Sequence, residues 1–127
     1  MNENVGKLIV RLALGGMILC HGISKVKGGI GPITGMVTAH GLPAPLAYGV
    51  YVGEVVAPLL VLIGWYSRIG AWIVAVNMIF ALWLAHRADV FALNATGGWA
   101  IELQGMYLFT AVAIALIGPG RYAANDK

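Results

Sequence analysis

The chain has 127 residues, 60% of them apolar and 10% charged, where soluble domains run near ~45–50% and ~25%. A soluble domain of this length cannot bury that much apolar surface, so lipid must cover much of it. The net charge of +3 comes from scattered Lys and Arg without a basic run interleaved with aromatics, so it gives no footprint for nucleic acid.

Four apolar stretches predict an all-α, four-helix transmembrane bundle of up-down topology, forming a single domain over 1–127. The first covers about 5–24. No small-residue cleavage site follows it, so it is expected to be retained. Cys20 is the single cysteine, and Leu19 stands where a lipoprotein signal needs a small residue. With no Cys-x-x-Cys pair for thiol redox chemistry, Cys20 reads as a buried small side chain.

The first connection, about 25–45, is long, apolar and broken by Gly31-Pro32 and by Gly41-Leu42-Pro43-Ala44-Pro45. Within it, 33–40 is expected to be a short helix lying in the membrane interface. The second span covers about 46–66 and the third about 69–85. Residues 65–68 leave almost no loop, which predicts a tight antiparallel hairpin. The fourth span covers about 99–117, and Gly118-Pro119-Gly120 closes it. An even number of spans puts Lys7, Arg11, Arg68, Arg121 and Lys127 on one side, against Lys25, Lys27 and Arg87 on the other. The excess favours cytoplasmic termini.

A charged side chain near the bilayer centre costs roughly 2.5–3.5 kcal/mol or more, so each one needs an explanation. At ~100° per residue, Lys7, Arg11, Ile18, His21 and Lys25 share one ~80° arc of the first helix, which should face the bundle interior. Counting ~1.5 Å per residue, Glu54 lies roughly 12 Å below the outer surface and Glu102 about one turn in. His86 closes the third helix on that side. The topology thus gathers His21, Lys25, Glu54, His86 and Glu102 in the outer half of the membrane. Pro58 cannot donate to the carbonyl of Glu54, so the second helix should bend beside the carboxylate. Gly49, Gly53 and Ala57 allow close approach there. Tyr48 and Tyr51 stand near enough to add hydroxyls or an aromatic wall. Asn77 lies about half a turn around from His86 and reads as interhelical glue rather than a pocket residue. Trp65, Trp83 and Trp99 fall near helix ends, where interfacial anchoring is the default.

A plain structural reading stands beside this one: the two acids pair with Lys25 and a protonated histidine and fix helix register. A metal set from His21, His86, Glu54 and Glu102 is geometrically open, but single ligands from separate helices carry little weight, and no metal is assigned. No flavin, dinucleotide or phosphate-binding motif is evident.

The ordered set of motifs resembles the DoxX family of small prokaryotic membrane proteins over nearly the whole chain. Arg11-Leu12-Ala13-Leu14-Gly15 and His21-Gly22-Ile23-Ser24-Lys25 look like its opening motif. Gly41 to Pro45 and Gly53-Glu54 match the next pieces. Gly64-x-x-Ser67-Arg68-x-x-Ala71 follows, with Ser67 in place of the usual Thr. His86, Glu102 and Gly118-Pro119-Gly120-Arg121-Tyr122 complete the set. The resemblance implies a multi-pass protein of a prokaryotic cytoplasmic (inner) membrane and carries over Arg11, His21, Lys25, Glu54, His86 and Glu102 as site residues. It also implies a link to quinone-dependent oxidation, although distant relatives of the same fold act as cargo receptors and assembly chaperones.

The expected function is therefore a membrane oxidoreductase component with an outer-leaflet pocket for a quinone or similar lipophilic acceptor. Glu54, Glu102 and His21 are its catalytic candidates, with Lys25, His86, Arg11 and Tyr51 binding the substrate. Electrons would have to come from a partner subunit or bound cofactor. Membrane lipid is the surrounding partner, and small residues on the first two helices also suit a homo-oligomer. The alternatives are a non-enzymatic binding or assembly protein and, less favoured, a small transporter.

Overall fold

A computed structural model describes residues 2–85, 92–93 and 97–127. The described residues form five helices and no strand. They are α1 (Asn2–Gly28), α2 (Gly31–Ala39), α3 (Ala44–Ile63), α4 (Ser67–Ala85) and α5 (Glu102–Ile117). Of these, α1, α3 and α4 are long and apolar enough to cross a membrane. The apolar α5, at 16 residues, is shorter and spans ~24 Å at ~1.5 Å per residue.

The predicted interfacial segment is helical, as α2. The helices also run to different ends than the sequence suggests: α1 continues four residues beyond 24, and α5 begins at Glu102 rather than near 99. Before α5 the Ala100 amide instead donates to the Ala92 carbonyl at 2.9 Å, and Leu93 pairs with Trp99 in an isolated antiparallel bridge.

The expected bend at Pro58 takes a specific form. Pro58 removes the donor that would cap the Glu54 carbonyl, and the backbone ladder shifts there to a π-helical turn over Val52–Val56. The Ala57 amide accordingly reaches the Val52 carbonyl five residues back. Between α3 and α4, Gly64 (φ 77°) ends the helix in the left-handed conformation, where its amide donates to the Leu60 carbonyl at 2.9 Å. Tyr66 also sits at positive φ (49°), with its amide donating to Asn125 Oδ1 at 3.0 Å. The hairpin is as tight as residues 65–68 predict.

One core joins the four longer helices. Leu14 and Ile18 of α1 meet Ala57 and Val61 of α3, Ala71, Val74, Ala75 and Met78 of α4, and Ala111, Ile114 and Ala115 of α5. The small side chains let backbones approach closely, which is where helix association in lipid gains its packing energy. The outward faces are apolar as well, with Val76 and Met106 about two-thirds exposed. Cys20 belongs to that outer surface, correcting the expectation of a buried thiol: Ile18 and Gly22 take the inward face of α1, and the residue midway between them turns away. A second cluster, Ile30, Val37, Ala47 and Val50, seats α2 on the start of α3, with Phe80 and Leu84 of α4 against it.

The N-terminal turn, the α3–α4 turn and the chain's end meet at one end of the bundle. The Arg121 amide donates to Asn4 Oδ1 at 2.9 Å, and the Arg68 amide to the Lys127 carbonyl at 3.2 Å. Arg11 holds this end together. Only 1% exposed, it donates from Nε to the Val61 carbonyl (2.9 Å) and from Nη2 to Leu62 (2.9 Å). Its Nη1 donates to Pro119 (3.1 Å) and Tyr122 (2.7 Å). The C-terminal carbonyls of α3, orphaned as at any helix end, thus share one cation with the tail.

Candidate functional site

Away from the Arg11 end, α1, α2, α3, α4 and α5 enclose a cavity of about 790 Å³, mostly apolar in its lining. That size is ordinary for a pocket holding a small organic molecule. Its polar wall is built on Glu54. The carboxylate is buried at 3% exposure in the π-turn of α3, and both of its oxygens have partners. Lys25 Nζ of α1 stands 2.6 Å from Oε1. Asn77 Nδ2 of α4 donates to Oε2 at 3.1 Å. A buried carboxylate persists only with such compensation. The side chain of Lys25 is itself 31% exposed, so this cation links the buried acid to the protein's surface.

Two glycines make the arrangement possible. Gly22 of α1 lies directly on the Glu54 carbonyl that Pro58 leaves without a donor, and a β-carbon there would overlap it. At Gly53 the space of a β-carbon is taken by the Asn77 side chain. A second polar pair faces the same space, where Tyr107 Oη of α5 and His21 Nε2 of α1 are 3.5 Å apart with their rings edge to face. The lining also includes Gln104 of α5.

The structure brings together His21, Lys25 and Glu54. Tyr51 stands just behind them, its hydroxyl donating to the Lys25 carbonyl at 3.4 Å. It does not bring in Arg11 or Glu102. Arg11 is committed to backbone carbonyls at the other end of the bundle, because a fully buried guanidinium needs acceptors for its donors and unpaired carbonyls supply them. Glu102 is exposed in the first turn of α5 and does not line the cavity. His86 falls outside the described residues. Among the described residues no three His, Cys, Asp or Glu side chains gather as metal ligands.

Asn77 and Tyr107 are the site residues that the sequence reading left out. Asn77 does link two helices, as expected, but it also lines the cavity. Its signal was available: Glu54 and Asn77 stand nearly equally far from the turn at 64–66, so the antiparallel hairpin sets them at one depth. Tyr107 carried no comparable signal, since an aromatic residue in an apolar helix is ordinary core.

A family model described as DoxX matches residues 6–87. The chain is 31% identical over 128 residues to "Putative oxidoreductase CatD" of Bacillus subtilis (strain 168), covering 99% of this chain and 90% of that protein. It is 29% identical over 121 residues to an uncharacterized protein of Haemophilus influenzae, covering 93% and 87%. No solved structure matches it.

Proposed function

The chain belongs to the DoxX family of small prokaryotic membrane proteins, and from that premise we propose that it is the membrane component of an oxidoreductase system, its cavity holding the head of a quinone or similar lipophilic electron acceptor. The observation that carries this reading is the pairing of a mostly apolar cavity with the Lys25–Glu54–Asn77 cluster on its wall. The oxidoreductase name of the Bacillus relative points the same way.

Reducing a quinone adds two electrons and two protons, so its site needs donors aimed at the carbonyl oxygens and groups that pass protons. Lys25 keeps ammonium protons beyond the one facing Glu54, and its charge stabilises negative charge developing on one oxygen. Tyr107 and His21 supply a second donor pair. Glu54, bridged by Lys25 to the surface, handles protons. The electrons come from a partner redox protein, since hydride or electron transfer needs a cofactor that amino-acid side chains do not replace.

In this reading α5 is the fourth span, the topology is up-down, and the protein sits in the cytoplasmic membrane with both termini in the cytoplasm. The positive charges support that orientation, with Lys7, Arg11, Arg68, Arg121 and Lys127 at the end where the termini meet.

One observation favours a second reading. Both oxygens of Glu54 are already occupied, as in a purely structural tie, which suits a binding or assembly protein that performs no redox chemistry. Mass spectrometry of lipophilic molecules co-purifying with the wild type and with Glu54→Gln separates the two. A quinone retained by the wild type and lost in the variant supports the acceptor site. No enrichment in a correctly folded wild type overturns it in favour of the second reading.

A further inference from the structure

The cavity is not closed on the lipid side. Along α4, beside Asn77, Met78 and Ala81, its lining includes one helical stripe, Ile69, Trp72, Ile73, Val76, Phe80 and Leu84. From the first to the last of these the stripe runs ~22 Å at ~1.5 Å per residue. Ile69, Trp72 and Val76 are 53%, 46% and 64% exposed, and all lie within the apolar span Ser67–Leu84. In a bilayer this opening faces hydrocarbon, not water. Asn77, which marks the polar cluster, stands midway along the stripe, so the deepest polar atoms of the site open onto an apolar channel running toward Ile69. Two other directions are covered. Ile33 and Met36 of α2 lie over the cavity, and the Arg11 end is filled by packed core.

A bare ring entering from water would need none of this. We infer that the ligand enters sideways from the bilayer along α4 and carries a long apolar chain, which rests against Ile69, Trp72 and Val76 while its polar head reaches Glu54, Lys25 and Asn77. The occupant is thus an amphiphile with a compact, hydrogen-bonding head and an unbranched or isoprenoid tail. The inference rests on the acceptor reading for the nature of the head, but the chain's path stands on the groove itself. The head is matched by donors at mid-depth, and the tail by apolar surface continuous with lipid. Burying a chain there removes no apolar area from water, so the affinity it adds comes from packing and from holding the head in register.

Trp72 reports on the groove directly. The full-length protein in lipid nanodiscs is titrated with a decyl-chain benzoquinone and with the same ring lacking the chain, compared at equal mole fraction in the bilayer. The Trp72 signal is the fluorescence lost in Trp72→Phe. The chained probe is expected to quench Trp72 selectively and to bind at least about tenfold more tightly than the ring. Val76→Trp, which fills the groove, should weaken the chained probe about tenfold, read by equilibrium dialysis. Ile9→Trp, on an exposed face of α1 outside the lining, should leave it unchanged. Equal affinity for the two probes, or indifference to Val76→Trp, overturns the chain groove. In that case the acceptor reading survives if Glu54→Gln still weakens both probes. Binding of neither probe overturns both.

Discussion

The side chain of Asn77 fills the place that a β-carbon would occupy at Gly53, and from there its amide donates to Glu54 Oε2 at 3.1 Å. The residue beside the acid is therefore small so that a residue from another helix can reach it. Gly53→Ala should push Asn77 off the carboxylate and cost about 1–3 kcal/mol, from overpacking and a lost hydrogen bond to a charged group. Thermal unfolding in detergent should show it as a clear drop in Tm. An unchanged Tm would mean that Asn77 has an equally good alternative position.

Lys25 and Glu54 bridge α1 and α3. Lys25→Met leaves a buried carboxylate with only Asn77 and should destabilise by about 1–3 kcal/mol, less than a fully buried pair would lose because Lys25 is part-exposed. Adding Glu54→Gln should recover part of that loss, so the double variant costs less than the sum of the singles. Strict additivity in the unfolding free energies would show that the two groups do not interact in the membrane.

Part of this architecture was legible from residue types alone. The hairpin at 65–68, the short helix after Gly31 and the role of Pro58 all follow from local chemistry, namely a missing loop, an apolar segment between glycines and an absent donor. Depth was legible too, because helical rise is fixed, and it placed His21, Lys25 and Glu54 together. Partner choice was not. The sequence shows that Arg11 needs acceptors, but its partners are backbone carbonyls of Val61, Leu62, Pro119 and Tyr122, which no side chain announces. Glu102 was placed at the right end of its helix. Which way it faces depends on how α5 rotates against α4, and a helix that is apolar all round gives no such information.

Arg11 is expected to matter for assembly rather than for the ligand. Arg11→Ala strips four carbonyls of their donor, and a loss of about 3–5 kcal/mol is expected for breaking such a buried charged network. The tail should loosen first. Tryptic cleavage after Arg121 should accelerate in this variant, while quinone retention per folded molecule stays as in the wild type. Lost retention in a folded variant would tie the two ends of the bundle together.

Gly22 and Gly16 make a controlled pair on α1. A β-carbon at Gly22 overlaps the Glu54 carbonyl and presses on Val55, whereas at Gly16 nothing lies within 4 Å. Gly22→Ala should prevent α1 from docking, giving aggregation or a Tm lowered by well over ten degrees (about 3 kcal/mol or more). Gly16→Ala should be neutral or slightly stabilising, through helix propensity. Equal behaviour of the two by size-exclusion profile and Tm would refute the close α1–α3 approach.

The guanidinium of Arg11 also has a mechanical consequence. With the last turn of α3 and the tail fixed to one side chain of α1, that end acts as a clamp, and the helices are levers pinned there. Small angular play at the clamp becomes larger displacement at the far ends, where α2 is carried between Gly29 and Gly41, both at positive φ. Compliance is thereby concentrated around the cavity and withheld from the base.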